Sequence, residues 1–383
     1  MQTSTLMTKL RETTIRHAIF RKDEATELKA RRKLDDLLIK ESIMVKELNY
    51  VSEFSSNQNP SQKKSSIRQN SFSNEEVRKR ARPYVVEITN ALLHCAAAEL
   101  ELNGGTRNGN STRDLQIQRA FELLQHMSKG SQTLEMFQDS FALWGYARIR
   151  FSERSLLLCS SLGRLEIPQL GRETLPVAFD PFIESQRHTR QKIWNIFINN
   201  GVRKACSIGS GPGNDIAGFV SFLQMILYNN SDFLLDKIVL MDWSVHWQKI
   251  TVPLCEVLIE RKLVKTGING CCDITKHLNT VENEAAYHEL FPKNVADIDF
   301  YSISYLLSET SCRWTSFLDT LVTKSKPHTI FYFAEPTPWQ LHEVQRLFCN
   351  YLDFVWLDSS MDTPSFWGTG RRAGPAVMVG LKR

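Results

Sequence analysis

From residue 203 onward the chain keeps to one alternation, and few architectures satisfy it. Apolar runs of strand length, RKACSIG, KIVLMD, VKTGINGCC, IDFYSISYLL and HTIFYFAE, are separated by amphipathic stretches such as NDIAGFVSFLQMILY, HWQKITVPLCEVLIERK and RWTSFLDTLVTKS. A strand that is apolar at nearly every position must be covered on both faces. With helices returning between the strands, the prediction is an α/β fold with a doubly wound, largely parallel sheet. Ligands of such sheets bind beyond the carboxyl ends of the strands, so the residues that end each run matter most.

The first run ends in Gly209-Ser210-Gly211-Pro212-Gly213 before a helix. Glycines allow positive φ and close backbone approach, and the helix N-terminus adds free N–H groups with partial positive charge. The turn fails as a dinucleotide fingerprint, because Asn214 stands where the last glycine is needed. It also lacks the Gly-Lys-Ser/Thr of a phosphate-binding P-loop.

Later strand ends supply what a nucleoside needs. Asp242 can accept from two ribose hydroxyls while Trp243 covers a base, and Asp273 with the N–H of Ile274 can meet an adenine edge. The fourth run ends in Ser304 and Tyr305, and the fifth in Glu335-Pro336. With these residues in view, positions 180 to 383 resemble the class I S-adenosylmethionine-dependent methyltransferases. That resemblance implies a seven-stranded sheet of order 3-2-1-4-5-7-6 and S-adenosylmethionine as cofactor. It also implies a methionine site around Gly209, Gly211 and Gly213, with Ser304 and Tyr305 beside the transferred methyl. One departure is plain: the family usually has Asp or Glu at position 207, against the methionine amino group, and here Ser207 stands there. Asp215, in the first turn of the next helix, is the nearest replacement, or else only a partner of the helix dipole.

Upstream, the composition changes. The pattern predicts for 1–54 a basic, Gly- and Pro-free amphipathic helical extension, for 55–82 a disordered polar linker ending in Lys79-Arg80-Ala81-Arg82, and for 83–178 a helical accessory or cap region before the 179–383 domain. The extension and linker hold 18 Lys and Arg against 11 Asp and Glu, while the remainder holds 29 against 31, so the net +5 belongs to the N-terminal part. The basic run resembles a short nuclear-localisation element. No secretory signal or membrane span is visible, so cytosol or nucleus is the expected compartment. The eight cysteines show no zinc spacing and read as reduced thiols, mostly in the core, with no metal expected. His94 and His126 fall on apolar helical faces and read as core histidines.

Methyl transfer asks a protein to position a nucleophile and, where needed, remove its proton. Tyr305, Ser304 and Glu309 are the candidates. The Asn-Pro-Pro-Tyr motif of exocyclic-amine methyltransferases is absent, and no Pro-Cys or Thr-Cys pair suggests a cysteine adduct. Between the last two strands, Phe366, Trp367, Arg371 and Arg372 should lie at the ligand rim, where aromatics beside arginines suit bases and phosphates. Together with the basic extension they make RNA the leading acceptor, with a protein side chain or a small metabolite as the alternatives. A non-catalytic binding protein of the same fold, or a nicotinamide-dependent oxidoreductase, would be the competing functions.

Overall fold

The computed structural model describes residues 74–102, 109–128, 134–166, 181–199, 201–227, 234–310, 313–357 and 375–383. The extension 1–54, most of the linker, and Phe366, Trp367, Arg371 and Arg372 lie outside the described residues.

Seven strands form one sheet of order β3-β2-β1-β4-β5-β7-β6. They are β1 (Lys204–Ile208), β2 (Leu235–Asp242), β3 (Val264–Cys271), β4 (Phe300–Ser304), β5 (Ile330–Glu335), β6 (Leu352–Leu357) and β7 (Ala376–Lys382). The first five pair in parallel, and β7 runs antiparallel between β5 and β6. Successive side chains point to opposite faces, which explains the unbroken apolar runs. Ala205, Leu240, Phe300, Tyr332 and Ala334 enter one buried layer, and Cys206, Met241, Tyr301, Phe331 and Phe333 enter the other.

The first layer holds helices α1 (Asn74–Leu102), α2 (Gly109–Ser128), α3 (Ser140–Gly163), α4 (Pro181–Ile198), α5 (Asn214–Ile226) and α6 (Gln248–Glu260). The second holds α7 (Glu284–Leu290), α8 (Thr315–Lys324) and α9 (Trp339–Phe348). Phe219 of α5 stacks on Phe300 of β4 with ring centroids 3.9 Å apart.

The region read as a helical accessory is fastened to this core. Helix α3 packs on α2, α1 and α5. Its crossings use glycine where backbones meet: a Cβ on Gly218 of α5 would stand 2.5 Å from the Ser155 carbonyl oxygen of α3. Gly145 of α3 lies closer still against the Gln116 backbone of α2. Asp139 starts α3 by accepting the N–H groups of Phe141 and Ala142 at 2.9 and 3.3 Å, which is why LEMFQDSFALWG breaks into a short turn (Leu134–Phe137) and a helix instead of one continuous helix.

Two sequence readings are corrected. Helix α1 begins at Asn74, so residues 74–82, taken as linker, are helical. Ala81, Val85, Ile88 and Leu92 form one buried stripe that starts before Pro83. Lys79 and Arg80 therefore project from an exposed helical face. His94, taken as a core histidine, is exposed, because the buried stripe passes through Leu92 and leaves position 94 on the other side.

Candidate functional site

The ends of β1, β2 and β4 converge on the glycine turn. Ser210 N–H donates to the Met241 carbonyl at 2.9 Å, and Gly213 N–H closes the turn on the Ser210 carbonyl at 2.8 Å. Gly213 has φ +85° at the start of α5, and a Cβ there would sit 2.4 Å from Leu254, so both backbone and space demand glycine. Gly211, with φ +49°, faces the other way: a Cβ there would meet nothing within 4 Å. Gly209 also has positive φ, with Leu306 beside it.

Asp242 is tied to this turn. Its carboxylate accepts Gly211 N–H at 2.8 Å through one oxygen and Ser244 N–H at 3.1 Å through the other. Burial raises its pKa to about 6, against the pull of the N–H groups of Gly211, Ser244 and Trp243. Two N–H bonds leave acceptor capacity on both oxygens. The neighbouring Trp243 is 40% exposed and braced edge-on by Phe137, 5.5 Å between centroids, from the turn before α3. At the next strand end, Asp273 accepts from the N–H and hydroxyl of Thr275 at 2.9 and 2.7 Å, while its own N–H donates to Asn283. Ile274 beside it is buried.

The end of β4 is held by a residue to which sequence reasoning gave no role. Glu335, fully buried on β5, accepts the N–H groups of Leu306 and Leu307 at 3.0 and 2.8 Å and of Ser308 at 3.3 Å. Burial raises its pKa, opposed by the Ser308 hydroxyl and these N–H groups. The clamp fixes the turn through Tyr305, whose φ is +59° and whose N–H donates to the Ala334 carbonyl at 2.7 Å. A carboxylate as the last residue of an otherwise apolar strand was the available signal.

A second missed residue comes from α3. Ser155 Oγ donates to the Asn214 carbonyl at 2.8 Å, docking α3 on the first turn of α5. The adjacent Arg154 guanidinium lies 4.1 Å from the Tyr305 ring centroid and 5.7 Å from that of Tyr146. Burial works against its charge, but Tyr146, Tyr305, Glu309 and Asp215 outweigh it, so Arg154 stays protonated. The Tyr305 phenol moves up, chiefly by burial, with Arg154 acting against the rise.

Asp215 closes the group. It is buried, its carboxylate accepts from Asn214 Nδ2 at 2.8 Å, and burial raises its pKa against Ser304, Arg154, Ser302 and Asn214. The hydroxyls of Ser302, Ser304 and the buried Ser207, which is in register with Ser302, make no hydrogen bond of regular geometry among the described residues. The structure thus brings together Ser207, Gly209, Ser210, Gly211, Gly213, Asp215, Asp242, Ser304 and Tyr305. Asp273 and Ile274 follow one strand further out along the same edge.

Neither a known family model nor a curated protein matches this sequence. Among solved structures, it is similar to a Thermotoga maritima S-adenosylmethionine-dependent O-methyltransferase, at 12% identity over 59% of this chain and 71% of that one, TM-score 0.31. It is also similar to the Bradyrhizobium japonicum N-methyltransferase NodS, solved with S-adenosylhomocysteine, at 13% identity over 59% and 98%, TM-score 0.30. A precorrin-6y C5,15-methyltransferase of Geobacter metallireducens is similar at 11% over 51% and 90%, TM-score 0.29. The strand order, with antiparallel β7 inserted between β5 and β6 and a glycine turn leaving β1, is the class I S-adenosylmethionine-dependent methyltransferase fold.

Proposed function

We propose that this chain binds S-adenosylmethionine at the carboxyl ends of β1 to β4 and transfers its methyl group to an acceptor. The observation that carries this reading is the buried Asp242 carboxylate, anchored on Gly211 and Ser244 with acceptor capacity left over, beside a turn whose Gly211 opens on free space. The Ser207 hydroxyl, buried and without a partner among the described residues, is further unused polar capacity for a ligand.

In this reading Asp242 accepts from the ribose hydroxyls, and Asp273 with the Ile274 N–H takes the adenine edge. Trp243 covers the base, and Gly209, Ser210, Gly211 and Gly213 make room for the methionine part. When bound, S-adenosylmethionine supplies a methyl carbon already activated by a sulfonium leaving group, so the chain's task is chiefly placement. Ser304 and Tyr305 stand at the strand end that would meet the acceptor. With its phenol raised by burial, Tyr305 stays protonated near neutral pH and orients by donating, without abstracting a proton.

RNA remains the acceptor we favour, on the charge of residues 1–82 and on Trp367, Arg371 and Arg372. Calorimetric titration with S-adenosylhomocysteine tests the site: saturable binding that Asp242→Ala abolishes is expected, and unchanged affinity in that variant would refute the assignment. Transfer of labelled methyl from S-adenosylmethionine into separated RNA, protein and small-molecule pools then names the acceptor. Binding with no transfer into any pool would instead favour a non-catalytic binding protein.

A further inference from the structure

Arg150 and Arg154 stand one turn apart on α3 and are treated differently. Arg150 is buried and donates to Glu153 at 3.1 Å. Arg154 is half-buried and makes no ion pair or hydrogen bond among the described residues; its contacts are the Tyr305 and Tyr146 rings. Its donors are not sealed either, since the buried arginine nitrogens without a partner among the described residues are the Nε atoms of Arg150 and Arg190. Glu309 and Asp215 favour its charge through space without pairing with it. A ring face stabilises a guanidinium less than charge-assisted hydrogen bonds do, so the strongest interaction open to Arg154 is unused.

Both sides of the ring contact are fixed. Ser155 is bonded to Asn214 at 2.8 Å, so residue 154 leaves α3 from a set point. Tyr305 is held by its N–H on the Ala334 carbonyl and by the Glu335 clamp on the three N–H groups that follow. A guanidinium held in place with its donors unspent is a preorganised receptor for an oxyanion. We propose that Arg154 is a specificity determinant for the methyl acceptor and takes a phosphate group that the acceptor carries near the methylated atom. This rests on the reading under Proposed function, in which Tyr305 faces the acceptor while the methionine part lies on the glycine turn. Phosphate is favoured over carboxylate by the basic excess of residues 1–82, which suits a polyanion. The choice of acceptor is then made partly by α3, outside the doubly wound unit.

The test follows the Arg154 Nε–H resonance by 15N nuclear magnetic resonance in the chain loaded with S-adenosylhomocysteine. The resonance is identified by its loss in Arg154→Gln, or in Arg154→Lys should the first variant fail to fold. The probes are dimethyl phosphate, which has the charge and shape of a backbone diester, and acetate, an equally charged carboxylate, with chloride as control. Dimethyl phosphate should move the resonance at lower concentration than acetate. No movement with either probe beyond that with chloride, or an equal or stronger response to acetate, overturns the proposal. By calorimetry Arg154→Gln should bind S-adenosylhomocysteine within about threefold of wild type, while labelled-methyl transfer falls about ten- to a hundredfold and Arg154→Lys recovers part. A tenfold loss of S-adenosylhomocysteine affinity would give Arg154 to the cofactor and overturn the proposal, as would unchanged transfer. A wild-type chain that neither binds S-adenosylhomocysteine nor transfers methyl defeats the reading under Proposed function instead, and the two anions titrated into the unloaded chain still decide whether Arg154 receives phosphate.

Discussion

The Asp242 carboxylate accepts the Gly211 N–H at 2.8 Å, so the residue that ends β2 also sets the shape of the turn that leaves β1. Its pKa, lifted from 3.8 to about 6 by burial, gives two opposite pH trends. The folded state holds this proton more tightly than the unfolded state, so the contribution to stability is complete below pH about 4 and is lost as pH rises through about 6. Two pH units correspond to about 3 kcal/mol. Ribose hydroxyls donate best to the ionised carboxylate, so S-adenosylhomocysteine affinity should rise over the same range, by up to about tenfold per pH unit. The thiols of Cys271 and Cys272, raised by burial, stay neutral throughout. Melting of the ligand-free protein and calorimetry between pH 4.5 and 7.5 check both slopes.

Glu335 fastens three successive N–H groups, and Glu335→Ala should destabilise the fold by about 3 kcal/mol, since buried donors lose a charged acceptor. Glu335→Gln should recover only part, because its amide NH2 replaces one acceptor with a donor. Urea unfolding measures both, with the slope expected to stay constant.

Gly218→Ala drives a methyl group into the Ser155 backbone at 2.5 Å. Two rigid helices cannot part without disturbing α3, so a loss of about 1 to 3 kcal/mol is expected. Thermal melting checks the stability.

A chain shortened to begin at residue 179, the boundary suggested by the sequence pattern, should not give a soluble folded domain. It would uncover the face of α5 against which α3 packs, where Gly218 meets Ser155, together with Trp247, now covered by Phe137 and Tyr146. Large exposed apolar patches promote association. Expression and size-exclusion chromatography of that fragment provide the measurement, and a monodisperse, cooperatively melting fragment would contradict it.

The parallel sheet was legible because β1, β2, β4 and β5 are largely buried on both faces, whereas the edge strand β3 is buried only at Val264. The chemistry lies at the strand ends, Asp242 as the last residue of β2 and Asp273 two residues beyond β3. The turn GSGPG was legible because glycine is the residue that backbone geometry cannot hide. Arg154 was not legible. It lies in RIRFSERSLLL, a stretch whose helical spacing says only that one side is buried, and nothing local tells which strand end it will reach. Glu335 was visible as a strand-end acid, yet its partners are three N–H groups some 27 to 29 residues earlier, a relation fixed only by the β4–β5 register. The start of α1 was misplaced because basic, polar residues up to 82 and Pro83 suggested a boundary, while burial of Ala81 reveals a stripe that propensity alone does not show.

The placement of β7 between β5 and β6 has a consequence for how the chain matures. Among the described strands β6 pairs only with β7, and β7 comes after every other strand in the sequence. As the chain emerges during synthesis, β5 presents an unpaired edge and β6 has no neighbour until residues 376–382 arrive and slot between them. A chain that stops short of this segment would carry two open strand edges, each a template for pairing with another molecule. Completion of the sheet is thus a late event, and an interrupted chain is exposed to aggregation at the edges that β7 would have sealed.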